Sequence, residues 1–352
     1  MDSSFDEFYM QRCLQLAKLG AGNVAPNPMV GAVLVHDGRI IGEGYYQQYG
    51  HAHAEVNCVR SVKPEDQPLI PASTMYVSLE PCAHYGKTPP CAELIVARKI
   101  GEVVIGCVDT FSQVSGRGIA ILKEAGISVR THVLEAACRQ LNERFFTFHE
   151  QQRPYIILKW AQSAAGYMAA ANGSPVRISN PLTDRLVHRW RSEEMGILVG
   201  TNTAVADNPR LNNRYWTGKD PVRIVIDRAL KTPRHYHLWN GAAPTLFITG
   251  DAATKEGEMQ TVTADFGQPL FPQLMQLLHE RRILSVLVEG GPYVLNEFIA
   301  AGLWDEARVI IGSHSIPDGV KSPVLSHSLL TEETLLDGDR ILYYRNRKEG
   351  TV

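Results

Sequence analysis

HAHAEV (His51–Val56), followed by SLEPCAHYGKTPPCAEL (Ser78–Leu94), decides how this chain is read. Two short segments collect His51, His53 and His84, Glu55, and Cys82 and Cys91, in a chain with only 6 cysteines and 12 histidines. Zinc takes nitrogen from neutral histidine and sulfur from cysteine thiolate, and a catalytic zinc site uses three protein ligands, leaving the fourth position to water. His53 and Glu55 are two apart, so both face one point at a loop-to-helix junction. Cys82 falls at the end of an expected strand and Cys91 at the start of an expected helix, where backbone amides and the helix dipole favour a thiolate.

H-x-E followed by P-C…C is the pattern of zinc deaminases, in which the glutamate moves protons and does not bind metal. Here it reads His53-Ala54-Glu55 and Pro81-Cys82…Cys91. The spacing departs from P-C-x-x-C, because eight residues, AHYGKTPP, separate the cysteines. Gly86, Pro89 and Pro90 make that insertion a loop. A structural zinc site would need a fourth protein ligand, for which the spare donors are His51 and His84. Cys13, Cys58, Cys107 and Cys138 read as small core hydrophobes.

Around this centre, 352 residues fit two domains, each able to bury a core. Apolar content of 44% and charged content of 20% belong to a globular chain. A net charge of -2 offers no bulk field to a nucleic-acid backbone, so a small ligand met by local Arg or Lys is expected. No apolar run approaches a membrane span, and MDSSFDEFYM lacks the layout of a signal peptide, so the protein is expected in the cytoplasm.

Ser4–Glu7 fits a capping box opening a helix, and Asp37-Gly38 between VGAVLVH and RIIGEG signals a hairpin. MYVSLEP and EVVIGCVD read as buried strands joined by CAELIVARK, and GRGIAILKEAGISVRTHV adds a helix and a strand. Leu134, Cys138, Leu141, Phe145 and Phe148 form one further helical stripe before HEQQRP breaks it. The first domain, 1–150, is therefore a three-layer α/β unit. The second, 154–352, opens with PYIILKWA and an Asn180-Pro181 helix start. It continues with strands GILVG, VRIVID, TLFITG, SVLVEGG and ARVIIG and with helices LMQLLHERR and PYVLNEFIAAG between the later ones.

PNPMVGAVLV, HAEV, YVSLEPCAHYGKTPPC and SGRGIAILKEAGI together resemble the deaminase domain of the bifunctional riboflavin-biosynthesis deaminase/reductase family, which has a cytidine-deaminase-like fold. The resemblance implies that His53, Cys82 and Cys91 hold Zn2+ and that Glu55 is the catalytic proton carrier. It implies substrate contacts at Asn27 and Lys87. Where the family usually shows a D-P-N-P-like stretch, this chain has DTFSQV, Asp109 to Val114.

From about residue 154 onward, LKWAQS, GTNTAVADNPRLNNR and VLVEGGPYVLN resemble the reductase domain of the same family, with a dihydrofolate-reductase-like α/β fold. By that resemblance NADPH is contacted by Ala161, Arg177, Thr203, Asp207, Gly291, Tyr293, Leu295 and Asn296. The substrate is met by Lys159, Arg191, Leu211, Arg214 and Glu289. A guanidinium fork offers two parallel donors to a phosphate, which suits Arg191 and Arg214. The family commonly shows S-L-D-G-K/R where this chain has Ser163-Ala164-Ala165-Gly166-Tyr167.

The expectation is a zinc deaminase of 2,5-diamino-6-(5-phosphoribosylamino)pyrimidin-4-one joined to an NADPH-dependent reductase that turns the ribosyl group of the deaminated product to ribityl. Phosphoribosyl pyrimidines are the expected partners, with neither nucleic acid nor membrane, in a homo-oligomer (dimer or tetramer). Three readings compete. One is a stand-alone pyrimidine deaminase with an inactive second domain, suggested by the missing S-L-D-G; another is a zinc-stabilised binding module without turnover; the third, a nucleic-acid base deaminase, is disfavoured by the charge balance and by the lack of an interleaved aromatic and basic strip.

Overall fold

A computed structural model describes residues 3–85, 89–110, 116–174, 176–314, 316 and 318–347. The chain divides into two compact units, Met1–Gln151 and Gln152–Val352.

In the first unit, α1 (Ser3–Ala17) leads to the hairpin β1 (Gly31–His36) and β2 (Arg39–Tyr45). Then come α2 (Ala54–Ser61), β3 (Thr74–Leu79), α3 (Cys91–Ala97), β4 (Glu102–Cys107), α4 (Arg117–Glu124) and β5 (Ser128–Arg130). The strands lie in the order β2-β1-β3-β4-β5, antiparallel through β1 and parallel from β3 onward. At the hairpin tip Asp37 and Gly38 both adopt positive φ, 46° and 77°, which is why a D-G pair works there. Ala32 and Leu34 of β1 pack into one apolar cluster with Cys58, Val59, Ala92 and Ile95 from α2 and α3. The opposite face meets α1, where a side chain at Gly31 would strike the carbonyl of Cys13. Helices thus cover both faces, as a partly parallel sheet requires.

Two local expectations change. Helix α1 already includes Ser4, so this residue is not the cap. The stripe from Leu134 to Phe148 is two helices, α5 (Glu135–Leu141) and α6 (Glu143–Gln151), broken at Asn142. The buried Asn142 side chain accepts from Met29 N–H at 2.8 Å and donates to Met29 O at 2.9 Å, so the break anchors the PNPM loop.

The second unit starts with β6 (Tyr155–Ser163), β7 (Tyr167–Ala170) and α7 (Pro181–Glu193). Asn180 caps α7, its side chain accepting from Leu182 and Thr183 N–H. Next are β8 (Gly196–Gly200), α8 (Thr201–Asp207), β9 (Val222–Ile226), β10 (Thr245–Thr249), β11 (Lys255–Glu256) and β12 (Met259–Thr263). The remaining elements are α9 (Leu270–Glu280), β13 (Ser285–Val288), α10 (Pro292–Ala300), β14 (Glu306–Gly312), β15 (Gly319–Lys321), β16 (Ser328–Leu336) and β17 (Asp339–Asn346). A ten-stranded sheet runs β11-β12-β10-β9-β8-β13-β6-β14-β17-β16, parallel from β12 to β14. Ile156, Leu158, Leu198 and Ile224 point to one core and Tyr155, Ile157, Val187 and Trp190 to another, so the parallel strands are apolar on both faces. The carboxyl ends of β6, β8, β9 and β13 open on one side, where such sheets place ligands.

Candidate metal centre and cofactor cleft

His53 is the N-cap residue of α2 and Cys91 the first residue of α3, while Cys82 lies three residues beyond β3. Helix α2 can approach β2 closely because β2 carries Gly42 and Gly44. A Cβ at Gly44 would stand 2.2 Å from Cys58 N and 2.5 Å from Ala54 O. Asn57 Nδ2 donates to Tyr45 O and Ala52 O, fixing the turn that presents His53.

His53 Nδ1 lies 3.5 Å from Cys82 Sγ and 3.4 Å from Cys91 Sγ, and the three donor atoms are all within 4.8 Å of one another. Bonds of about 2.3 Å to sulfur and about 2.0–2.1 Å to nitrogen give a tetrahedral N···S edge of roughly 3.5 Å, so this donor set fits zinc. Among the described residues these three are the one such group. His51 and His84 are exposed and outside it, and no fourth protein ligand joins it among the described residues.

Glu55 follows in the first turn of α2, 3% exposed. Burial, with the Cys82 sulfur beside it, raises its pKa above the ordinary carboxylate range. A hydrogen bond from the Cys91 thiol holds Cys82 low, at about 4, assisted by His53 and by the Cys91 backbone N–H. The counterpart is Cys91, whose thiol is raised. Of the two sulfurs, Cys82 is the one whose surroundings favour the thiolate.

Two further groups brace this centre. Tyr46, buried, packs its ring edge-on against His53 with centroids 5.1 Å apart, and its hydroxyl accepts from Asn27 Nδ2 at 3.1 Å. Glu80, 4% exposed, accepts from the backbone N–H groups of Asp109, Gly116, Gly118 and Ile119. It thereby ties the strand end that leads to Cys82 to the start of α4. Sequence reading passed over both; an acid inside the apolar run YVSLEP was the available signal for Glu80. Lys87 lies outside the described residues, as do residues 111–114 of DTFSQV.

In the second unit a cavity of ≈ 830 Å³ opens at the carboxyl ends of the central strands. It brings together Lys159, Ala161, Arg177, Thr203, Asp207, Glu289, Gly291 and Tyr293. Glu289, at the end of β13, accepts from Arg191 at 2.7 and 2.9 Å and from Lys159 Nζ at 3.4 Å. Burial alone would raise its pKa, but Arg191 and Lys159 hold it well below the carboxylate range. Arg177 reaches Asp184 at 3.2 Å on the cavity rim.

Arg191 sits behind that wall, also donating to Asn212 O. Leu211 and Leu295 do not reach the cavity: both are enclosed in apolar clusters, where their side chains fill core. Asn296 is exposed on α10 and Arg214 donates to the Asn212 side chain, both outside the cavity lining. His188, absent from the sequence reading, accepts from Arg214 N–H at 2.9 Å and is depressed to about 4 by burial and by Arg191 and Arg214. Ser163–Tyr167 is a turn closed by Gly166 N–H on Ser163 O, with Gly166 at φ 81°. An acidic or basic side chain is not what shapes it.

The cytidine and deoxycytidylate deaminase zinc-binding region matches residues 3–107, and the RibD C-terminal domain matches residues 154–323. Riboflavin biosynthesis protein RibD of Aquifex aeolicus is 37% identical over 329 residues, 91% of this chain and 90% of the relative. That of Escherichia coli is 35% identical over 329 residues, 87% of each. A Thermotoga maritima structure described as a diaminohydroxyphosphoribosylaminopyrimidine deaminase/5-amino-6-(5-phosphoribosylamino)uracil reductase superposes with a TM-score of 0.88 at 32% identity, covering 98% of this chain and 99% of its own. Acinetobacter baumannii RibD gives 0.86 at 30% identity with the same coverage.

Proposed function

Because the chain belongs to the RibD family of riboflavin-biosynthesis proteins, we propose how its own residues divide that family's two reactions. It is a bifunctional enzyme, a deaminase and a reductase, with Zn2+ and NADPH as cofactors. The deaminase hydrolyses 2,5-diamino-6-(5-phosphoribosylamino)pyrimidin-4-one, and the reductase converts the ribosyl group of 5-amino-6-(5-phosphoribosylamino)uracil to ribityl. Nothing supports an inactive second domain: both regions match, and the cavity keeps its lysine and carboxylate.

We assign residues 1–150 to deamination. His53, Cys82 and Cys91 hold zinc, which when bound lowers the pKa of a water from about 15.7 to about 7. Glu55 takes one proton from the attacking water and passes it to the ring nitrogen as oxygen adds to the amino-bearing carbon; it then takes the second proton from the new hydroxyl and gives it to the amine, so that the C–N bond breaks, ammonia leaves and a carbonyl remains. A carboxyl with a raised pKa serves both as base and as acid. Asn27 and Lys87 meet the pyrimidine and the ribose phosphate.

We assign residues 154–352 to reduction. NADPH, when bound, supplies the hydride. Ala161, Arg177, Thr203, Asp207, Gly291 and Tyr293 line the space that would hold the dinucleotide. Lys159, which lines the cavity and donates to Glu289, protonates the sugar-ring oxygen as the ring opens. The exposed Arg214 serves the substrate phosphate, and Arg191, expected there too, holds Glu289 in place.

The nine-residue strand β16, exposed along almost its whole length at the edge of the large sheet, supports a homo-oligomer joined there. Six free cysteines, two of them metal donors, support a reducing cytoplasmic setting.

The observation that carries the reading is the His53–Cys82–Cys91 triangle of tetrahedral edge with Glu55 buried beside it. Purified zinc-loaded protein given the diaminopyrimidine and NADPH should release ammonia and then consume NADPH. Ammonia release without NADPH oxidation rejects the reductase half; absence of ammonia rejects the other.

A further inference from the structure

Helix α7 carries a buried histidine that neither reaction uses. His188 is 4% exposed and stands one turn before Arg191, on the same face of α7. Its Nδ1 lies 2.9 Å from the backbone nitrogen of Arg214. A backbone N–H only donates, so Nδ1 is the acceptor and the ring is neutral. Burial and the cations of Arg191 and Arg214 agree with this, since they depress the His188 pKa to about 4. The Tyr215 ring stands edge-on to His188 at 4.6 Å, and the Arg214 guanidinium lies 5.5 Å from the centre of the Tyr215 ring. Arg191 donates to Asn212 O at 3.3 Å while its other nitrogens hold Glu289 in the cavity wall. The Asn212 side chain in turn accepts from Arg214. The loop that carries Arg214 is thus seated on α7 at two points, and the arginine at one of them also reaches the cavity.

We propose that His188 is a positioning residue of the reductase, whose Nδ1 fixes the Arg214 main chain so that the guanidinium is held ready for the substrate phosphate. This rests on the assignment of Arg214 to that phosphate. An exposed arginine gives up rotamer freedom when a ligand immobilises it, and an anchored main chain with Asn212 and Tyr215 beside it has already given up part. Without an acceptor at position 188 the Arg214 N–H loses its partner, and the loop is free to turn it toward water. The loss falls on phosphate binding and not on the hydride step, because His188 is not among the residues that line the cavity.

The test pairs two variants. His188→Phe keeps a ring against Tyr215 and removes the acceptor; His188→Asn removes the ring and keeps an acceptor, since its Oδ1 stands one bond beyond Cγ as Nδ1 does. NADPH oxidation is followed with separately supplied 5-amino-6-(5-phosphoribosylamino)uracil and with the same compound lacking its phosphate. An unchanged Kd for NADPH establishes that the second unit of each variant is folded. His188→Phe should raise KM for the phosphorylated substrate by about tenfold, the cost of ordering one long side chain, with kcat within about twofold. Its KM for the compound without phosphate should match wild type, and His188→Asn should stay within about twofold of wild type on both. Arg214→Ala should raise KM at least as far, and His188→Phe added to it should change nothing further. An unchanged KM in His188→Phe, an equal loss on the compound without phosphate, an equal loss in His188→Asn, or additive losses in the double variant overturns the proposal. Should His188→Phe fail to bind NADPH, His188→Asn decides: wild-type KM supports the proposal and a KM raised as in Arg214→Ala overturns it. If wild-type protein oxidises no NADPH, the reductase assignment falls first and takes this inference with it. If wild type is active and Arg214→Ala leaves KM unchanged, the Arg214 assignment falls; if Arg214→Ala raises KM and His188→Phe does not, this inference alone falls.

Discussion

The backbone N–H of Cys91 points at Cys82 Sγ from 3.3 Å, so helix α3 begins on the sulfur of the other cysteine ligand. The two cysteines are thus held together by local backbone geometry and not only by a shared cation, even with eight residues of loop between them. Removing either sulfur deletes one of three donors. Cys82→Ser and Cys91→Ser should each lower zinc from about one per chain to near zero and abolish ammonia release. NADPH oxidation with supplied deaminated substrate should persist. Elemental analysis beside the two assays checks this; full zinc in either variant would remove that cysteine from the ligand set.

Glu55 behaves differently because its carboxyl is no member of the donor group. Glu55→Gln keeps shape and volume while removing the only proton carrier the mechanism uses. Zinc content should match wild type, and ammonia release should fall by at least about 10²-fold, the lower range of general acid–base contributions. Turnover within a few fold of wild type would exclude Glu55 from proton transfer.

Gly44 is needed for space. A methyl group there would meet Cys58 N and Ala54 O at 2.2 and 2.5 Å, both backbone atoms of the helix that carries Glu55 and is capped by His53. The helix must move away, at a cost of about 1–3 kcal/mol for overpacking. Gly44→Ala should therefore weaken zinc retention against a chelator and lower the melting temperature of the first unit. Unaltered zinc exchange would show that α2 is not seated by this contact.

The metal centre was legible because its chemistry needs rare residue types at fixed separations, and the hairpin at Asp37-Gly38 because a two-residue turn demands positive φ. The same signal at Asp337-Gly338, with φ 48° and 88°, marks the β16–β17 hairpin, which the sequence reading left unassigned. Its outer strand reads SLLTEETLL, with no clean alternation, because it is exposed on both faces and nothing selects a period of two. Leu211, expected at the substrate, and Leu295, expected at the cofactor, both have side chains packed in core, and a leucine that fills core and one that touches a ligand look alike until packing is known. Glu80 and Tyr46 act through contacts to residues far along the chain, 29 to 39 positions for Glu80, which no local pattern encodes.

Glu289 gives the second unit a defined response to acid. Its side chain is 9% exposed between Arg191 and Lys159, at 13% and 14%, and those two cations keep its pKa well below normal. An unfolded glutamate titrates at about 4.3, so below that pH the unfolded chain binds a proton that the folded chain refuses. The stabilisation is complete above about pH 4.3 and is lost as pH falls from there toward the depressed folded value. Glu289→Gln should flatten this part of the acid limb, since glutamine does not titrate. At pH 7 it should also destabilise the unit by about 3–5 kcal/mol, because it leaves two enclosed cations without their carboxylate. All 5 tryptophans, at positions 160, 190, 216, 239 and 304, belong to this unit, so tryptophan fluorescence during urea unfolding reports on it alone. Equal stability of the two proteins at pH 7, with parallel slopes between pH 5 and 3, would mean that Arg191 and Lys159 do not depend on Glu289.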